Sequence, residues 1–159
     1  MTRRHARAQP GRRALGRVPH GQWHRLTLLG ALARDGVAAI MSVARPTSAR
    51  VFQAFVEQVL LPALRTRAHP VVVLDNLQPH KAAGVRQAFA AAGVEIRYLP
   101  PYSPDLNPIE PCWSKIKTLL RGQAARTLEA LDHVPPEVIE AVSAQDARGW
   151  FAHAGYRSQ

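Results

Sequence analysis

A single cysteine, Cys112, stands among 159 residues, which excludes an internal disulfide and any cysteine-rich zinc site. No run approaches the roughly 18 apolar residues of a membrane span, and Met1-Thr2-Arg3-Arg4 leads into no apolar signal-peptide core. Acid is scarce: 11 Asp and Glu face 21 Lys and Arg, for a formal charge of +10. Lysine is scarcer still, with arginine outnumbering it 18 to 3. What is present in ordinary measure is apolar side chain, 47% of the total, enough to exclude wholesale disorder. The expectation is one soluble, intracellular, basic domain.

The charge is unevenly placed. Residues 1–34 hold eight arginines and no acid; the first is Asp35. Guanidinium groups suit bidentate phosphate contacts, and a basic arm of this kind binds polyanions with an affinity that falls steeply with salt. A solvated terminus, or the codon bias of a GC-rich genome, accounts for the same arginines. Glycine and proline interleave with arginine over residues 1–20, which reads as an extended arm.

Residues 22–43 read as an antiparallel hairpin turned at Asp35-Gly36. Pro46-Thr47-Ser48 offers a helix start, and Val51, Phe55, Val59 with Phe52, Val56, Leu60 set an apolar face over about 48–65. Val71-Val72-Val73-Leu74, apolar on both faces, predicts a buried central strand of parallel type ending at Asp75. A helix over about 80–92 stops at Gly93, a strand spans Val94–Leu99, and Pro100-Pro101 closes it. Ile109, Trp113, Ile116 and Leu120 mark the packed face of the next helix. Thr127–His133 and 136–148 predict two more helices around Pro135-Pro136. The order β-β-α-β-α-β-α implies an α/β sheet flanked by helices. The boundaries are an arm at 1–20, a core at 21–122 and a helical tail at 123–159.

Two acids stand out. Asp75 ends a strand, where α/β sheets carry functional side chains, although it also suits the cap of a βα turn. Glu110 falls three residues after Asn107, a good N-cap, with Pro108 at the first helical position. A capping-box role favoured by the helix dipole fits it equally. Glu110, Ser114, Lys117 and Arg121 share one helix face, which suits a metal ligand beside a phosphate backbone or simple surface patterning. His80, at a helix start, reads as a cap or surface residue, although a place near a metal site fits it too, and His20 and His24 split awkwardly for metal binding. Cys112 reads as a packed small side chain. Trp23, Trp113 and Trp150 read as core, since a base-stacking platform needs exposed aromatics.

Leu74-Asp75-Asn76 followed by His80-Lys81, together with Leu99-Pro100-Pro101-Tyr102-Ser103-Pro104-Asp105-Leu106-Asn107-Pro108-Ile109-Glu110, resembles the catalytic blocks of DDE transposases. The match is to bacterial insertion-sequence transposases related to the Tc/mariner superfamily, and 34 residues separate the two acids, the spacing of that group. The resemblance implies a ribonuclease-H-like α/β fold in which three carboxylates bind two Mg²⁺ (or Mn²⁺) ions for in-line phosphoryl transfer. Asp75 corresponds to the second acid and Glu110 to the third, as catalytic residues and metal ligands. It further implies a cytoplasmic, nucleoid-associated protein whose partners are DNA, both transposon ends and target. A second copy, or the upstream part of the transposase, is an expected protein partner, and no membrane is involved. Arg3, Arg4, Arg12, Arg13, Lys117 and Arg121 are the expected DNA contacts.

The family's first acid lies on the first, central strand of the sheet, and no residue of 1–34 supplies one. Asp35, in the hairpin turn, is misplaced for that role. The chain therefore reads as the C-terminal part of a transposase that cuts and joins DNA with Mg²⁺, without its first strand and its helix-turn-helix region. Val71–Leu74 is then expected to carry an unpaired edge. The alternative is a catalytically inert remnant acting only as a non-specific DNA-binding or protein-pairing module. A phosphotransfer domain with Asp75 as nucleophile needs further acids grouped at adjacent strand ends and a nearby lysine, whereas Val71–Leu74 offers only Asp75 and Val94–Leu99 ends in Pro-Pro.

Overall fold

Asp35-Gly36 reverses the chain as its residue types dictate, with Gly36 at φ 130°, a conformation that side chains resist. The strands on either side, β1 (Thr27–Ala33) and β2 (Gly36–Val43), pair antiparallel. The computed structural model describes residues 7–13, 26–122 and 134–156; Arg3, Arg4, His20, Trp23, His24 and the predicted helix at Thr127–His133 lie outside them. Register shifts between Ala31 and Leu32, so that Ala31 faces Ala39 while Leu32 faces Val37. The extra residue, Ala38, makes a bulge that reverses the alternation. Leu29, Ala31, Ala39 and Met41 consequently point to one apolar cluster, and Leu28, Leu32, Val37 and Ile40 to a second on the opposite face.

The first cluster lies under the helix predicted at 48–65. Ser48 caps it, its Oγ accepting from the Val51 N–H at 3.3 Å. The helix runs as α1 (Ala49–Phe55), a π-helical turn (Val56–Leu60) and α2 (Leu61–Leu64). Pro62 explains the wide turn: it has no N–H, and its ring would collide with the carbonyl four residues back. The Leu61 N–H reaches the Val56 carbonyl instead. Phe52, Phe55, Val56 and Leu60 are buried there against Val85 and Phe89 of α3 (Ala83–Ala91).

β3 (Val71–Leu74) pairs in parallel with β4 (Glu95–Tyr98), and Gly93, at φ 67°, ends the intervening helix. The buried central strand expected from the valine run is not realised: Val71 is 48% exposed and Val73 39%. The open side of β3 has no neighbouring strand among the described residues. Among the described residues β3 pairs only with β4, and β1 only with β2. The free edges of β1 and β3 line one slot of about 820 Å³. α3 also begins later than its apolar face suggested, because Pro79 favours a 3₁₀ turn over Gln78–Lys81 and Ala82 is extended.

The second cluster is covered by α4 (Ile109–Gly122), α5 (Pro136–Glu140) and α6 (Ala144–His153). Cys112, Ile116 and Leu120 are buried, and Ile109, Trp113 and Trp150 pack beside them, so both described tryptophans serve the core. Burial pushes the Cys112 thiol up to about 11, as expected of an inert packed side chain. The single helix expected over 136–148 is two, because Ser143 starts a new one. Its Oγ accepts from the Asp146 N–H at 3.1 Å, and the Ser143 N–H donates back to Asp146 Oδ2 at 2.9 Å, a reciprocal cap. Lys115 of α4 donates to the same oxygen at 2.7 Å.

Two predictions follow from this packing. A Cβ on Gly30 would meet Cη2 of Trp113 at 2.8 Å, so Gly30→Ala is expected to lower unfolding free energy by about 1–3 kcal/mol, read from urea titration. An unchanged midpoint would mean that the indole does not seat on β1. Lys115 and the Ser143 cap hold the Asp146 carboxyl down at about 2, against an ordinary 3.8. A carboxyl depressed by folding stabilises the folded state above 3.8 and loses that contribution as pH falls towards 2. The acid limb of the stability curve should therefore flatten in Asp146→Asn, with variant and parent converging at the lowest pH.

Candidate active site

β3 delivers Asp75 and the proline-rich turn before α4 delivers Glu110. The two carboxylates line the same recess of about 440 Å³, together with Asn76, Lys81 and Tyr102. Both also line the slot between β1 and β3, so the recess lies at the slot's mouth.

Asp75 is held from two sides. Its Oδ1 accepts from the Leu77 N–H at 3.2 Å, the turn-capping role that the residue type allows. The same oxygen lies 2.6 Å from Nδ1 of His80. That approach is a close electrostatic contact rather than an aligned hydrogen bond, for Nδ1 is buried and makes none. Oδ2 makes no hydrogen bond with the described residues. The cap role and a ligand role are therefore compatible, since each uses a different oxygen.

His80 is neither the cap nor the surface residue expected of it. Its side chain is only 13% exposed, and its ring stacks on Phe52 with centroids 4.0 Å apart. The Tyr98 hydroxyl donates to its backbone carbonyl at 3.1 Å. α1 and β4 thus clamp the turn that aims His80 at Asp75. The residue types of this turn carried no signal for the clamp, because Phe52 and Tyr98 are remote from it in sequence.

Glu110 is exposed and differs from Asp75 in one respect. Its carboxylate makes no hydrogen bond or ion pair with the described residues, and the capping box with Asn107 is not formed. The contact between them is backbone only, the Glu110 N–H donating to the Asn107 carbonyl at 3.2 Å. Ser114 and Lys117 follow on the same exposed face of α4, with Arg121 half-buried at its end. Arg12 and Arg13 are exposed in the short segment 7–13 and line neither cavity. Asp35 is engaged elsewhere: both its oxygens accept from Nη2 of Arg67 at 3.0 Å, which lowers its carboxyl from the ordinary range.

Hard carboxylate oxygens are the right donors for a divalent cation such as Mg²⁺. Asn76 adds a buried Oδ1 without a hydrogen-bond partner on the wall of the same recess. No third acid joins them: among the described residues no group of three His, Cys, Asp or Glu is placed to hold a metal. Asp75 and Glu110 fit such an ion as two of its ligands. Among the described residues no helix is long and apolar enough to cross a membrane.

Solved structures resemble this fold. The Mos1 strand transfer complex matches with a TM-score of 0.69 at 20% identity, over 95% of this chain and 46% of that one. The Mos1 mariner paired end complex with Mn gives 0.73 at 19%, over 92% and 46%. The Mos1 transposase catalytic domain with Raltegravir and Mg gives 0.62 at 20%, over 83% and 76%. The chain thus spans about half the length of the first two. These likenesses establish the ribonuclease-H-like α/β fold. No curated protein matches. Residues 1–132 match the family model described as DDE superfamily endonuclease, and with most of its length inside that match, the chain belongs to this family.

Proposed function

We propose that the chain is the C-terminal part of a DDE transposase, and that Asp75 and Glu110 are two of the three carboxylates that hold its divalent ions. The reading rests above all on Glu110, an acid on the wall of a shared recess whose carboxylate has no structural partner. Bound there, two Mg²⁺ ions (or Mn²⁺) would stabilise both the attacking and the leaving oxygen of an in-line displacement at phosphorus. The protein's own contribution is positional. Asp75 is oriented by the Leu77 N–H and by His80, itself fixed between Phe52 and Tyr98. Glu110 is carried by the first turn of α4, whose helix is anchored by Cys112, Ile116 and Leu120. Lys81 brings a positive charge to the recess wall, and Lys117 and Arg121 continue a basic stripe along α4 for the phosphate backbone of DNA.

The third carboxylate has a natural route into the site. A strand residue occupies about 160 Å³, from a 4.8 Å strand spacing, 10 Å layers and a 3.3 Å rise. The slot of about 820 Å³ therefore accepts about five residues in extended form. A strand seated there would pair with β1 on one side and β3 on the other, and its end at the recess would bring an acid to Asp75 and Glu110. Such a segment would come from the upstream part of the transposase or from a second chain.

Appending an N-terminal extension that bears an apolar strand ending in Asp is expected to confer Mg²⁺-dependent nicking of a DNA duplex. In that extended chain Asp75→Ala and Glu110→Gln should each lower nicking by more than about 100-fold, beyond what loss of an outer-shell partner costs. Glu110→Gln should change unfolding free energy by less than about 1 kcal/mol, the scale of a helix-dipole contribution. An extended chain that stays inactive, or one indifferent to Asp75→Ala, overturns the site. Binding of the chain itself to duplex DNA should fall log-linearly with salt, and Lys117→Ala should flatten the slope by about one phosphate contact. Salt-independent binding would remove DNA as the partner.

A further inference from the structure

The turn between Asp75 and Glu110 contains one side chain that the catalytic reading leaves unused. Tyr102 is 101% exposed, the largest exposure among the large hydrophobics of the described residues. Its backbone has φ 55°, the left-handed region that costs an ordinary side chain about 1–2 kcal/mol. Pro100-Pro101 before it and Pro104 after it restrict the flanking dihedrals, and Ser103 Oγ donates to the Pro101 carbonyl at 3.3 Å. The turn is thus braced in a form that projects an aromatic ring into solvent. Neither packing nor hydrogen bonding of the ring explains this, for no hydrogen bond or ring contact of Tyr102 exists among the described residues. Strain held by a rigid surround at the edge of a site points to a ligand.

The position says which kind. Tyr102 lines the same recess as Asp75, Glu110, Asn76 and Lys81. Resting on the reading of that recess as a DNA phosphoryl-transfer site, we propose that the Tyr102 ring is a stacking platform for the unpaired nucleobase next to the phosphate that is cut. A terminal base that leaves the duplex beside such a site loses its stacking partner. An exposed aromatic face replaces it without regard to sequence, because every base has a π-face. Lys81 and the α4 stripe are placed for phosphates, and the ring adds an exposed aromatic face at the rim of the recess to hold the end in place. Tyr102 is a positioning residue for the base; the reacting phosphate belongs to the two acids.

The test uses the chain with a DNA duplex carrying 2-aminopurine as an unpaired 3′-terminal base, at low salt. Wild-type chain should quench the probe, and Tyr102→Phe and Tyr102→Trp should quench it as well. Tyr102→Asn keeps a residue that tolerates the left-handed backbone and removes the ring. It should abolish quenching and weaken affinity for the unpaired end by about 5- to 100-fold, leaving affinity for a fully paired duplex within twofold and the thermal midpoint unchanged or raised. Quenching that survives in Tyr102→Asn overturns the platform, and so does its loss in Tyr102→Phe. A wild-type chain that binds no duplex at low salt overturns the DNA reading and this inference together, whereas Tyr102-independent binding overturns the inference alone.

Discussion

The geometry of the site depends on a backbone constraint. The N–H and C=O groups along one edge each of β1 and β3 lack ladder partners among the described residues, and both strands line a slot of about 820 Å³. Unpaired edges invite pairing, and a parallel strand with valines exposed at 48% and 39% has the side-chain chemistry of a central strand in the position of an edge. The rest of the molecule is arranged around that discrepancy. The hairpin is covered on one face by α1 to α3 and on the other by α4 to α6, so layers that would flank a full sheet are in place on either side of an interrupted one. Residues that would look like an exposed liability in an isolated domain are consistent with a binding edge.

The same constraint sets the division of labour at the recess. β3 ends at Asp75 and its parallel partner β4 ends just before Pro100-Pro101, so the βα turn and the proline turn emerge side by side. The intervening 34 residues hold one helix and one strand between two 3₁₀ turns, a crossover that brings a parallel neighbour into register. The acid spacing is thus a length of chain needed to close a parallel pair, with the proline turn added to start α4 beside it. Rigidity comes from both sides: His80 is clamped by Phe52 and Tyr98, and α4 is buried along Cys112, Ile116 and Leu120.

Much of this was legible in residue order because it depends on local chemistry. Asp35-Gly36 specified the hairpin, Ser48 the start of α1, Gly93 the end of α3, and Asn107-Pro108 the start of α4. The two acids were readable from strand-end and turn positions and from the family-like blocks. What was not legible depends on partners distant in sequence. The valine run predicted burial, since composition reports what a strand is suited to, and only the family-like blocks gave the expectation of an unpaired edge on Val71–Leu74. His80 looked like a surface residue because its stack on Phe52 and its contact with Asp75 arise only when α1 folds over the turn. The helix expected at 136–148 split because Ser143 and Asp146 form a cap that apolar spacing does not register. Pro62 widened a turn rather than breaking the helix, because the buried face of Val56 and Leu60 outweighed one lost backbone bond.

Glu110 and Tyr102 share a property that separates them from the residues of the core. Cys112, Trp113 and Phe89 are each accounted for by what they touch. Asp35, which resembles a site acid in composition, is likewise accounted for by Arg67. Glu110 has a carboxylate with no partner, and Tyr102 an aromatic ring with no contact on a left-handed backbone. A fold selected for stability alone would cap α4 with Glu110, since Asn107 is in place to complete the pair. It would also use Asn or Gly at the left-handed turn. Both departures fall on the wall of one recess, beside Asp75, which has a carboxylate oxygen to spare while the other is held in place. Two local rules broken on the wall of one recess are the pattern that a functional site leaves on a sequence.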